Sequence, residues 1–474
     1  MPLDYNKLIS QEYQRRPEPA IRSLLSLEKK PGMISFLAGK PNPDRFPFES
    51  ITVKLKPSAV LSTDPSTGAS TELVIDGNTL ERVLQYGYTA GDPLFDEALN
   101  DLVSAVHGRT RHDDTPAGDF EITVGTGSQD LLAKTSLALF DKGDTILVES
   151  PMYPGLLPDL GSRGIHVINV ATDQEGLSAS SLAQILDEWN QNERTKELSF
   201  PKAVYTVPTG GNPSGTTASA DRKRAILQIV RKHSILILED DPYYYLSFEG
   251  LEEDSVMRHR SPSYFALEKE DNDPWGYGYV LRFESFSKIL SAGMRLGFMA
   301  GPKPIIDAVS GYMATSSIHA SSPMQVMAAL LLQHWGVPGF LSHVDEVARL
   351  YQQRRDFFEV KLASVLGGDK NQQRALASWV TPVAGMFFWV KLHLPPESDA
   401  PQGNSSNVIT KNAVDHNVLA VPGASFYAGQ QITPYVRLSF SVIPEEEMEE
   451  GLLRLRKAIE DAWKEHGYST IPPM

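Results

Sequence analysis

The feature that most constrains this chain is an alternation. From about residue 90 to 300, short apolar runs bounded by Gly and Pro take turns with amphipathic stretches. The runs at 120–124, 145–149, 165–170, 203–207, 235–238, 277–283 and 296–300 read as strands. The stretches opening at 94 and covering 178–190 and 221–233 read as helices; the first has Leu94, Phe95, Ala98, Leu102 and Val106 as its apolar face. Strands that alternate with helices predict an α/β domain built on a mainly parallel sheet. In such sheets ligands bind beyond the carboxyl ends of the strands, so the residues there are the first candidates for chemistry.

The segments just past these strands are polar and specific. After 120–124 comes GTGSQDLL, a glycine turn running into a helix, whose first amides and dipole suit an anion. Ser128 and Gln129 add side-chain donors there. The dinucleotide fingerprint fails, because Asp130 stands at its last glycine, and no Walker pattern exists. Tyr153 comes after 145–149 and offers a flat ring. Asn212 comes after 203–207 in a Gly/Pro turn that aims one amide. Asp240 comes after 235–238, with Tyr243 three residues on. A carboxylate on a buried strand end needs a partner, which a pyridinium N–H or an arginine supplies. Finally, SFSKILSAGMRLGF places Lys288 beside Ser285 and Ser287, with Arg295 seven residues later. An amine flanked by hydroxyls and a cation suits pyridoxal phosphate, which brings an aldehyde and a phosphate. Taken singly, each feature has a plain alternative: a solvated loop lysine, a tight strand-to-helix turn, a tyrosine packed on its own loop, an ordinary ion pair.

The flanking regions read differently. Residues 1–30 form an arm with a helix at 20–29, punctuated by Pro17 and Pro19 and carrying Arg22. A strand at 33–38 leads to a turn at Gly39. Residues 63–78 read as an exposed loop and 250–274 as a surface excursion. Beyond Pro304 come helices at 305–315, 323–332 and 341–365, a strand at 386–392 and a helix at 408–416. A further strand carries Arg437 among apolar neighbours, and a closing helix covers 445–465. A cation on an apolar strand implies an anionic partner. The expected division is an arm of 1–45, a large cofactor-binding domain of 46–330 and a smaller α+β domain of 331–474.

Composition removes other classes. The 474 residues are 41% hydrophobic and 22% charged, with a net charge of −15. That sign disfavours nucleic acid and anionic membranes as partners. The absence of cysteine excludes disulfides and thiolate chemistry, and the 11 histidines show no metal-ligand spacing. The N-terminal residues lack the basic and apolar regions of a signal peptide, and no run of about 18 apolar residues exists. A cytoplasmic protein is expected.

With IRSLL, MISFLAGKPNPDRFPF, GTGSQD, GGNPSG, EDDPYYYL, SFSKILSAGMRLGF and YVRLSFS in this order, the chain resembles the fold-type I, pyridoxal-phosphate-dependent class I aminotransferases. Within them it is most similar to the fungal aromatic-amino-acid and 2-aminoadipate enzymes and to mammalian kynurenine/aminoadipate aminotransferase. The resemblance implies roles. Lys288 matches the lysine that joins the cofactor aldehyde and then moves the proton. Asp240 matches the partner of the pyridine nitrogen, and Asn212 and Tyr243 the partners of the ring oxygen. Tyr153 matches the stacking ring. Ser128, Gln129, Ser285, Ser287 and Arg295 match the phosphate cup, joined by Tyr86 from a second subunit, with Tyr88 a near rival for that place. Arg437 matches the clamp on the substrate α-carboxylate, and Arg22 and Gly39 a segment that closes over the substrate. Two insertions, 63–78 and 250–274, and the Gly-Gly before Asn212 depart from the family pattern. The implied activity is a homodimeric transaminase acting on Phe, Tyr, Trp or 2-aminoadipate with 2-oxoglutarate as acceptor. A lyase or decarboxylase on the same fold is the rival, since fold does not settle reaction type. A cofactor-sensing regulator is disfavoured by the acidic charge and the lack of a DNA-binding module.

Overall fold

The computed structural model describes residues 3–17, 27, 30–37, 39–56, 72–112, 119–252, 258–270, 276–368 and 375–468. Two compact units divide it: Met1–Lys142 with Asn272–Phe340, and Gly143–Asp271 with Leu341–Met474.

In the first unit, three strands pair antiparallel in the order Glu121–Gly125, Gly297–Gly301, Val280–Ser285. The helices Ser128–Leu139 and Lys303–Thr315 pack with them. The helix Pro93–His107 starts where Asp92 accepts from the Leu94 amide and Pro93 fills the first helical position; it stops at Gly108, whose φ of 62° only glycine takes freely. It buries Phe95, Leu99, Leu102 and Val103. The stripe is thus rotated from the expected one, with Leu94, Ala98 and Val106 on its half-buried flank.

Two expectations change in this unit. No strand forms over 33–37, where Ile34 is 81% and Phe36 98% exposed. A strand needs a ladder partner, and this segment has none among the described residues. The loop expected over 63–78 ends early: Glu72–Ile75 pairs with Ile51–Lys54, and the helix Gly77–Leu84 buries Leu80 and Val83 against Ile75 and Val326. The helix expected at 20–29, except for residue 27, and Arg22 with it, lie outside the described residues.

The second unit holds the parallel sheet. His166–Asp173, Thr145–Ser150, Ala203–Thr206 and Leu236–Asp240 run parallel in that order, with the short Gly176–Leu177 antiparallel at the edge. The three inner strands are buried almost throughout, as a sheet covered on both faces requires. Because they are parallel, their carboxyl ends at Ser150, Thr206 and Asp240 share one edge. Tyr153, Asn212 and Asp240 therefore issue from the same side.

A second sheet, antiparallel, has the order Ala377–Trp379, Phe387–Leu392, Tyr435–Ser439, Val421–Pro422. Its period of two sorts the residues. Phe388, Val390, Leu392, Val436 and Leu438 enter a core with Leu452, Leu455, Ile459 and Trp463 of the helix Glu445–Glu465. Phe387, Trp389 and Arg437 take the other face, so the cation avoids the core.

The long stretch Ser322–Leu366 is broken at Gly336, at φ 60°, between the two expected helices. Residues 258–270 are not the exposed excursion expected of 250–274. Arg258 is buried against Asp345, 2.8 Å away, and Tyr264, Phe265 and Leu267 are buried in a short helix. The Glu239 carboxylate accepts from the Tyr264 and Phe265 amides at 2.8 and 3.2 Å, which fixes that helix start. Among the described residues no helix is long and apolar enough to cross a membrane, and no His/Cys/Asp/Glu group could hold a metal.

Candidate active site

The first unit carries a lysine and an anion cradle. The strand Val280–Ser285 is fixed from within. Burial alone would raise the Glu284 carboxyl, yet Arg282 and His107 bring it down to about 2. Their nitrogens lie 2.8 and 2.9 Å from Glu284 Oε1. Ser285 then caps a single turn, Phe286–Lys288, its Oγ accepting from the Ser287 amide at 3.2 Å. Lys288 ends that turn, half-buried.

Arg295 is held in the left-handed region at φ 51°, a conformation of the kind stored at functional sites. Its guanidinium donates to Ser287 Oγ at 3.3 Å, Ala292 O at 3.1 Å and Thr126 O at 3.2 Å. A Cβ on Gly127 would stand 2.5 Å from Arg295 Nη2, and one on Gly297 would stand 2.7 Å from the Ser128 amide. The two glycines thus let a cation and a helix start approach each other. The helix Ser128–Leu139 has no side-chain N-cap, and a helix start of this kind suits a phosphate. Asp130, the residue that spoils the dinucleotide fingerprint, accepts from the Thr126 amide at 3.1 Å and pairs with Lys134, so it fixes this turn.

The second unit carries the ring-binding candidates. Asp240 is buried at the end of Leu236–Asp240. The Tyr205 hydroxyl donates to its Oδ2 at 2.7 Å, while Oδ1 has no partner among the described residues. Burial raises the Asp240 carboxyl to about 7, the Tyr205 bond opposes this, and Asp241 adds to it. Asn212 sits in its turn, with a cis bond to Pro213, and its Oδ1 accepts from Arg437 Nη1 at 2.8 Å. The Gly-Gly departure has a structural reason. Gly210 has φ 54°, and a Cβ there would meet the Gly385 amide at 2.7 Å.

Arg437 lies over the Phe387 ring at 4.2 Å and the Phe426 ring at 5.2 Å, and its Nε has no partner among the described residues. Burial pushes the Tyr243 phenol above its usual range, while its hydrogen bond with Asn212 works the other way. Tyr153 stands half-buried just past Thr145–Ser150, close enough for its phenol to act on Tyr205, Tyr243 and Arg437.

The second unit therefore brings together Asn212, Tyr243, Arg437, Asp240 and Tyr153, and the first brings together Ser128, Ser285, Ser287, Lys288 and Arg295. Gln129 lies in the first turn of the same helix. Tyr86 and Tyr88 are 59% and 61% exposed, and Gly39 lies in irregular chain. Sequence reasoning missed Tyr205, Phe387 and Phe426. Tyr205 hides in the run AVYTV, where a tyrosine reads as ordinary strand. Two adjacent phenylalanines at 387 and 388 were the visible signal that one of them faces away from the core.

The family model for class I and II aminotransferases matches residues 71–455. The chain is 38% identical over 452 residues to aminotransferase tdiD of Emericella nidulans, covering 95% of each chain. It is 32% identical to the mitochondrial kynurenine/alpha-aminoadipate aminotransferase of Bos taurus, covering 97% of this chain and all of that one. Among solved structures, aminotransferase Aro8 from Candida albicans superposes with a TM-score of 0.81 at 27% identity, over 98% of this chain and 100% of the other.

Proposed function

This chain belongs to the class I and II aminotransferases, with the α/β fold of type I, and on that premise we propose its reaction. It moves an amino group from an aromatic amino acid (Phe, Tyr, Trp) or 2-aminoadipate to a 2-oxo acid such as 2-oxoglutarate, with pyridoxal 5′-phosphate as cofactor. Relatives named for kynurenine and aminoadipate support the substrate class.

The observation that carries the cofactor reading is Asp240 Oδ1, a buried carboxylate oxygen without a donor among the described residues. A pyridinium N–H is a donor of the right kind. The helix start at Ser128 beside Arg295 fits a phosphate equally well. In this reading Asp240 takes the ring nitrogen, Asn212 and Tyr243 the ring oxygen, and Tyr153 the ring face. Ser128, Gln129, Ser285, Ser287 and Arg295 take the phosphate. Tyr86 reaches the phosphate of a second copy in a homodimer, a role its exposure supports. Arg22 and Gly39 close over the substrate. The division into 1–45, 46–330 and 331–474 is part of the same proposal.

Bound pyridoxal phosphate supplies an electron-poor ring that absorbs the charge left on the substrate α-carbon. The chain does the rest. Arg437, steadied by Asn212 and two aromatic rings, takes the α-carboxylate through its fork. The rings also exclude water from that ion pair, which strengthens it. The Lys288 Nζ takes the proton from the α-carbon and later returns one.

A panel of amino donors at fixed 2-oxoglutarate tests this, with the 2-oxo acid and glutamate measured together. Aromatic amino acids or 2-aminoadipate should give both in equal amounts. Lys288→Ala should leave less than one part in about 10³ of the rate. Full turnover in that variant, or donor loss without glutamate, would overturn the reading.

A further inference from the structure

The mechanism uses Asp240 but not the residues standing behind it. Tyr205 lies on the strand next to Asp240, in register with Leu238, so its side chain and that of Asp240 share one face of the sheet. Its hydroxyl is buried and reaches forward to Oδ2 at 2.7 Å. On the other face, Glu149 grips the segment just after Tyr205: its carboxyl accepts from Thr206 Oγ1 at 2.7 Å and from the Val207 amide at 2.9 Å.

We propose that Tyr205 is a positioning residue, which holds Oδ2 of Asp240 and thereby leaves Oδ1 as the one acceptor offered to a ring N–H, with Glu149 pinning the strand end from which Tyr205 reaches. This rests on the reading of Asp240 as the partner of the ring nitrogen.

The physical case is one of rotation and charge. An aspartate carboxyl turns easily about its terminal bond, whose torsion is broad. One hydrogen bond from a buried, ring-stiffened donor removes that freedom and orders the two oxygens. A charged acceptor strengthens the bond. Tyr205 is itself a poor acid here, because burial, Asp240 and Glu149 all raise its phenol, so it stays a donor across the working range. The charged or titratable groups acting on this pair are Asp241, Glu149, Tyr153 and Tyr243. Burial lifts Glu149 to about 8, which keeps a second negative charge away from Asp240 at neutral pH.

The test compares two probes on wild type and Tyr205→Phe. One is pyridoxal 5′-phosphate, and the other is its 1-deaza analogue, with C–H in place of the ring nitrogen. Binding to the apoprotein is read by equilibrium dialysis, and thermal unfolding of each apoprotein checks the fold. The wild type should prefer pyridoxal phosphate. Tyr205→Phe should weaken pyridoxal phosphate by about 10-fold and the deaza analogue by less than about 2-fold, the size of one charge-assisted hydrogen bond acting through its partner. Tyr205→Leu should show the same selectivity even if its melting temperature falls. Equal losses for both probes, or none, would overturn the positioning role while leaving Asp240 in place. A wild type that binds both probes alike would overturn the Asp240 assignment, and this proposal with it.

Discussion

The Arg295 cradle and the Asp240 cluster handle charge in opposite ways. Arg295 is exposed, and its guanidinium is tied to a hydroxyl and two backbone carbonyls. Water screens it, so holding it costs little and its field is weak. Asp240 is buried, has one donor among the described residues, and is shifted to about 7. Burial there makes each missing or added hydrogen bond matter. The same contrast separates two buried acids. Glu284, with Arg282 and His107 against it, falls to about 2, while Glu149, with only neutral donors, rises to about 8. Burial sets the size of the effect, and the partners set its sign.

That contrast orders the expected consequences of substitution. Asp240→Ala removes the buried charge and should lower turnover by about 10³-fold, measured at saturating cofactor. A small effect would show that the buried cluster is only structural. Arg437→Lys keeps a charge but loses the planar fork, so KM for the amino donor should rise by about 10- to 100-fold with kcat less affected. Arg295→Ala should weaken cofactor binding by only about 10-fold at low salt. That gap should narrow near 1 M salt, where the Debye length is about 3 Å. An Arg295 effect indifferent to salt would erase the distinction between the two sites.

The smallest effect is expected at Glu149. Its folded value lies above the ordinary 4.5, so its contribution to stability is complete below about 4.5 and is lost as pH rises through about 8. Glu149→Gln stays neutral. Between pH 5 and 9 the wild-type melting temperature should therefore fall by about a few °C more than that of the variant. Parallel curves would place a charge on Glu149 throughout.

Much of this was legible in the chain. The apolar runs at 145–149, 203–207 and 235–238 place Tyr153, Asn212 and Asp240 on one edge, because parallel strands end together. Capping chemistry at Asp92-Pro93 and Gly108 bounds its helix through local hydrogen bonding and backbone geometry. The missed parts share one cause. Tyr205 and Glu149 look like strand residues until their neighbours are known, since a hydrogen bond across a parallel pair joins residues 35 apart in sequence. The strand expected at 33–38 is not seen over 33–37, because a short apolar run becomes a strand only when another strand is there to pair with it.

The order of residues alone determined the strand–helix alternation, the edge on which the polar groups gather and the chemical kinds of group found there. These are local matters of periodicity, capping and turn geometry. Only the tertiary structure decided that one Asp240 oxygen has no partner among the described residues, that Arg437 lies over two aromatic rings, and that Glu149 and Glu284 shift in opposite directions. Those outcomes depend on which distant side chains share a dry space, and sequence neighbours do not fix that.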